Sequence, residues 1–167
     1  MRFHPGFICA LRNIGIIPQD TFLFNMSVKD NILMGRNNIT PEQILKAAQL
    51  AGAHDFIIQL QDGYNTLVGE KGCLLSGGQK KRISIARALL ENPYILIMDE
   101  ATADLDEISE KSILDSIQSL SRDRIVFMVT HKPSNLVCAN KIISFQHGKV
   151  SCYRGLEEYR EQVVCKV

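Results

Sequence analysis

Three apolar runs of strand length constrain what this chain can fold into more than any other feature. Ile14-Gly15-Ile16-Ile17, Tyr94-Ile95-Leu96-Ile97-Met98 and Ile125-Val126-Phe127-Met128-Val129 are continuous rather than alternating, and a helical pattern separates the last two. A strand with one wet face alternates polar and apolar residues. A continuous run needs burial on both faces, and parallel neighbours need crossovers of helical length. The pattern therefore predicts strands over residues 12–18, 94–98 and 125–129, with another over 141–145, in a mostly parallel sheet covered on both faces.

Between the first two runs the period changes from strand to helix. Ser27 can cap a short helix through Leu33 and Met34 that stops at Gly35. Thr40-Pro41-Glu42-Gln43 is a capping box with Pro at the first helical position, and Ile44, Ala47, Ala48 and Ala51 follow at helical spacing up to Gly52. Helical character resumes over 53–60, and residues 69–78 are glycine-rich. Ile83, Ala86, Leu89 and Leu90 then form an apolar stripe, and 108–120 is helical. With no low-complexity linker or repeat, these divisions belong to one domain: a helical part over about 20–75, an α/β part over 76–155 and a tail over 156–167.

Composition removes several classes of function. Lys and Arg total 19 against 18 Asp and Glu, a net charge of +1, so there is no basic field for a nucleic-acid backbone. No apolar run approaches the roughly eighteen residues of a membrane span. The first twelve residues, interrupted by Pro5-Gly6, do not form a signal peptide, and a cytosolic location is expected. Five cysteines without a C-x-x-C pair argue against a disulfide framework or zinc site and for reduced, structural thiols.

In open α/β sheets ligands bind beyond the carboxyl ends of the strands, where three runs here end in reactive residues. The first leads to Gln19, the second to Asp99-Glu100 and the third to Thr130-His131. Parallel strands would bring an amide, two carboxylates and an imidazole to one rim. Separately, Ser76-Gly77-Gly78-Gln79 opens the helix that carries Ile83 and Ala86. Ser76 and Gln79 make a second capping box, while glycines in the first turn leave backbone N–H groups uncovered, which suits an anion. Lys80-Lys81-Arg82 would add positive charge nearby.

The run Leu75-Ser76-Gly77-Gly78-Gln79, followed by Lys80 to Leu90, Asn92-Pro93 and Ile95-Leu96-Ile97-Met98-Asp99-Glu100-Ala101-Thr102, closely resembles the nucleotide-binding domain of ATP-binding cassette (ABC) transporters. Ile14 to Asp20 looks like that family's Q-loop, Thr66 to Gly72 like the X-loop of exporters, and Val129-Thr130-His131 like its switch histidine. The resemblance spans roughly 11–152. It implies a partial RecA-like P-loop NTPase core with an inserted helical subdomain, and ATP and Mg²⁺ as ligands. By the same resemblance Asp99 and Gln19 would hold Mg²⁺, Glu100 would activate the attacking water, and His131 would contact the γ-phosphate. Ser76, Gly77, Gly78 and Gln79 would cover a phosphate held by a second nucleotide-binding domain, Asp106 would belong to the D-loop at the nucleotide, and the Gln19 and Glu70 loops would meet transmembrane domains. Phe22 and Phe24 would pack near that surface or in the core.

Two departures from the family pattern are visible. No G-x-x-x-x-G-K-[ST] phosphate loop occurs in the 167 residues; with only eighteen residues before Gln19, the chain looks like the later part of a cassette, expected to expose sheet surface and not to hydrolyse ATP by itself. The D-loop carries Ala103 and Asp104 where the family has Ser and a small or amide residue. The implied function is ATP-driven export, with the chain on the cytoplasmic side of a membrane. The alternatives are a non-enzymatic partner that donates only its signature helix, the one opening at Ser76-Gly77-Gly78, and, more remotely, a DNA-repair ATPase.

Overall fold

A computed structural model describes residues 13–102 and 105–163, which form two compact units meeting in sequence at Val129 and Thr130. The first unit is α/β. Strands β1 (Ile14–Ile17), β2 (Ile95–Asp99) and β3 (Ile125–Val129) form a parallel sheet in the order β1-β2-β3, with Ile17 beside Met98 and Met98 beside Met128. Helices α1 (Val28–Leu33), α2 (Pro41–Leu50), α3 (His54–Ile57) and α4 (Gly77–Leu89) lie between β1 and β2, and α5 (Glu107–Leu120) joins β2 to β3. This is the partial RecA-like arrangement the sequence implies.

Capping chemistry sets the helix starts where the sequence places them. Ser27 accepts from the Asp30 N–H, and Thr40 and Gln43 make a reciprocal box with Pro41 at the first position. The expected helix over 53–60 is shorter, because beyond Ile57 the chain tightens: Gln59 and Leu60 donate three residues back, to Phe56 and Ile57, rather than four. Helix α4 covers one sheet face. A Cβ on Gly15 would lie 2.8 Å from the Ala88 carbonyl oxygen and 2.8 Å from Pro93 Cγ, so glycine permits the close approach of helix to strand. Ile17, Leu96 and Met98 join Ile83, Ala86 and Leu89 of α4, and Ile113 and Ile117 of α5, in the core.

The prediction that the sheet is covered on both faces is not met among the described residues. The row formed by Ile16, Ile97 and Phe127 lies on the face away from α4, and Ile16 and Phe127 are 61% and 54% exposed. The run over 141–145 also differs from expectation. It forms β4 (Ile142–Gln146), which pairs antiparallel with β5 (Lys149–Tyr153) in a separate sheet of the second unit. The reason is local: His147 (φ 49°) and Gly148 (φ 74°) are both left-handed, the geometry of a two-residue hairpin, which reverses the chain at once. A 3₁₀ segment (Pro133–Cys138) precedes this hairpin and helix α6 (Gly155–Val163) follows it.

Candidate nucleotide site

Because β1, β2 and β3 are parallel and in register, their carboxyl ends share one edge, and the residues after β1 and β2 meet there. Gln19 Nε2 donates to Glu100 Oε2 at 2.9 Å across 81 positions of sequence. Asp99, the last residue of β2, is exposed beside Glu100. Glu100 occupies the left-handed region (φ 43°), a conformation that costs a non-glycine residue about 1–2 kcal/mol. Its N–H still donates to the Val129 carbonyl at 3.0 Å, so the backbone stays in the sheet ladder while the chain turns. The turn is held on its far side by Thr102, buried, whose hydroxyl donates to Glu110 Oε1 of α5 at 2.8 Å.

The Ser76 turn is built locally. The Ser76 hydroxyl accepts from the Gln79 N–H at 3.2 Å and Gln79 Oε1 accepts from the Ser76 N–H at 2.9 Å, so the Gln79 side chain serves the cap. A Cβ on Gly77 would meet nothing within 4 Å, which means that packing inside this chain does not require glycine there. Of the three basic residues that follow, two are engaged elsewhere. Lys81 is 1% exposed and donates to the Pro18 and Gln19 carbonyls, while Arg82 stacks over Phe56 at 5.1 Å and donates to the Gly52 carbonyl. The expectation of a three-residue positive cluster at the turn is corrected accordingly.

Asp106 is the N-cap of α5. It accepts from the Ser109 N–H at 2.9 Å and from its hydroxyl at 2.7 Å, and these bonds hold its carboxyl below the usual carboxylate range. A depressed folded-state pKa stabilises the protein above the unfolded value of about 3.9, and the stabilisation is lost as pH falls through the folded value. Thermal melts should therefore show wild type above Asp106→Asn at neutral pH and the two converging below about pH 4; parallel curves would refute this.

His131 belongs to the second unit, in a turn fixed by Thr130, whose hydroxyl accepts from the Lys132 N–H and from Nδ2 of buried Asn135, both at 3.0 Å. Ala103 and Asp104 lie outside the described residues. Glu70 is exposed in a loop pinned by buried Val68, whose N–H donates to the Met26 carbonyl at 3.1 Å. Phe22 and Phe24, edge to face at 4.9 Å, are 50% and 42% exposed, so the core reading of that pair is set aside. Sequence reasoning missed Lys81, concealed in a run of charges that suggested a solvated face. Its helical spacing to Ile85 and Ala88, both buried, was the available signal.

The ABC transporter family model matches residues 9–103, which include Gln19, the Ser76 turn, Asp99 and Glu100. The chain belongs to the ABC transporter family. It is 50% identical over 142 residues to a Staphylococcus aureus (strain NCTC 8325 / PS 47) protein named for multidrug export, ATP binding and permease function, covering 84% of this chain and 25% of that one. The counterpart in the bovine strain RF122 / ET3-1 is 49% identical over the same length. Among solved structures, a bacterial Atm1-family ABC exporter with ATP bound superposes with a TM-score of 0.84 at 36% identity, over 93% of this chain and 27% of that chain. The chain thus spans about a quarter of the length of these ABC relatives. No helix among the described residues is long and apolar enough to cross a membrane.

Proposed function

We propose that this chain is ATP-binding cassette sequence of an ABC exporter, acting on the cytoplasmic face of a membrane and coupled to transmembrane domains through the Gln19 and Glu70 loops. The observation that carries the reading is the Gln19–Glu100 hydrogen bond at the carboxyl edge of a parallel sheet, in a chain of the ABC family. The donor set suits Mg²⁺, since Asp99 offers carboxylate oxygen and Gln19, with Nε2 given to Glu100, keeps its amide oxygen for a hard cation. Among the described residues no three His, Cys, Asp or Glu side chains gather into a self-sufficient metal cage. Mg²⁺ does not need one, because it takes most of its ligands from water and phosphate. When bound, it neutralises charge on the phosphate oxygens.

The chain's own residues then have separate tasks. Glu100 orients the attacking water and takes its proton, and Gln19 holds that carboxylate in place. His131 contacts the γ-phosphate. The Ser76-Gly77-Gly78 turn presents backbone N–H groups at the positive end of a thirteen-residue helix to a phosphate held by a second nucleotide-binding domain. Asp106 belongs to the D-loop at that same interface. The 20–75 helices act as the inserted subdomain. These 167 residues contain no Walker-type phosphate loop, so by themselves they bind Mg-ATP weakly and do not turn it over. A second reading is supported by the self-contained capping box at Ser76: by itself the chain contributes only its signature helix, in trans, to an ATP-loaded partner.

The test mixes this chain with a hydrolysis-deficient cassette that has an intact phosphate loop. ATP-dependent association should appear in light scattering, and Ser76→Arg with Gly77→Asp should weaken it at least about tenfold by placing bulk and negative charge in the turn. Absence of association by the folded chain, or equal association by the double variant, refutes the donation in trans. Micromolar ATP affinity of the chain alone in calorimetry refutes its inactivity.

A further inference from the structure

Lys81 is a fully buried cation in the first unit, and the site described above does not use it. Only 1% of its surface is exposed, and its Nζ donates to the Pro18 carbonyl at 2.9 Å and the Gln19 carbonyl at 2.6 Å. A buried ammonium is tolerated only where acceptors replace water, so it stays on those two carbonyls as long as the unit is folded. Both carbonyls belong to the peptide units that aim Gln19, whose side chain in turn donates to Glu100. Lys81 is the fifth residue of α4, directly after the turn capped by Ser76 and Gln79.

We propose that Lys81 is a positioning residue: its ammonium ties the second turn of the helix that opens at Ser76 to the Pro18–Gln19 backbone and thereby holds the Gln19 carboxamide on Glu100. A shift of the Ser76 turn is then carried through Lys81 to the Gln19–Glu100 pair inside the same chain. The inference rests on the proposed roles of Gln19 and Glu100 for its functional meaning, but the contact itself can be tested without nucleotide, so the two can fail separately.

The experiment is side-chain amide NMR on the 167-residue chain without ATP. In wild type the Gln19 NH₂ group, donating to Glu100 at 2.9 Å, should show slowed exchange and cross-peaks to Glu100. In Lys81→Met, which keeps the volume and removes the charge, Gln19 NH₂ exchange should accelerate by roughly tenfold or more and the cross-peaks vanish. The capping-box signals of Ser76 and Gln79, which a merely structural loss would erase, should persist. Lys81→Arg, with donors able to reach both carbonyls, should restore the Gln19 signals, and Lys80→Met should leave them as in wild type. If Lys81→Met does not fold, Lys81→Leu, which likewise has no donor, is read by the same criterion. Unchanged Gln19 exchange in the folded Met or Leu variant, or release of Gln19 in a folded Lys81→Arg, overturns the proposal.

Discussion

Glu100→Gln, in a polypeptide that joins this chain behind a segment carrying G-x-x-x-x-G-K-[ST], lowers ATP turnover by roughly 10²–10⁴-fold, the worth of a positioned general base. Size and hydrogen-bonding capacity are nearly kept, so ATP-dependent association should survive while the water loses its proton acceptor. Gln19 Nε2 still finds an acceptor in the oxygen of the substituted carboxamide when that amide is turned towards it, which preserves the 2.9 Å contact seen between Gln19 and Glu100. Phosphate release measured beside association separates binding from chemistry. Turnover within a few-fold of wild type would remove Glu100 from the role of base, whatever the family resemblance implies. The strained backbone at Glu100 (φ 43°) supplies a second check. Glu100→Gly relieves the strain and also abolishes turnover, because it removes the carboxylate whatever it does to the turn.

Arg87→Met should destabilise the first unit by about 2–4 kcal/mol, the cost of leaving buried acceptors without a charged donor. Arg87 Nε donates to the Asn31 carbonyl at 2.8 Å, Nη1 to the Phe22 carbonyl at 3.2 Å and Nη2 to Asn31 Oδ1 at 3.4 Å. Asn31 is fully buried and binds both the N–H and the carbonyl of Phe24, so one guanidinium anchors α1 and the segment after Gln19 to α4. Burial, more than the neighbouring Arg36, lowers the Arg87 pKa, yet the group stays charged at neutral pH. Urea melts provide the measure, and Arg36→Met is the control. The Arg36–Glu91 pair, at 2.7 Å but partly exposed, is worth at most about 1 kcal/mol. Equal losses in the two variants would mean that the Asn31–Arg87 network holds the unit together no better than a solvent-exposed ion pair does.

What the sequence alone determined is local. Continuous apolar runs identified β1, β2 and β3 to within two residues, and Ser27, Thr40 and Ser76 announced their helices, because caps are made by residues three apart and need no tertiary partner. The candidate site residues were legible for the same reason: each follows a strand or opens a helix within a contiguous motif. Tertiary structure decided what depends on distant partners or on the handedness of single residues. It paired β4 with β5 through the left-handed His147-Gly148 turn, turned Glu100 through a left-handed backbone, and took Lys81 out of a charged run to bury it on carbonyls 62 and 63 positions away. The burial of Lys81 depended on where β1 comes to lie against α4. A charge seen in sequence belongs by default to water, but where β1 lies close against α4, with Gly15 beside Ala88, the Pro18 and Gln19 carbonyls replace that water.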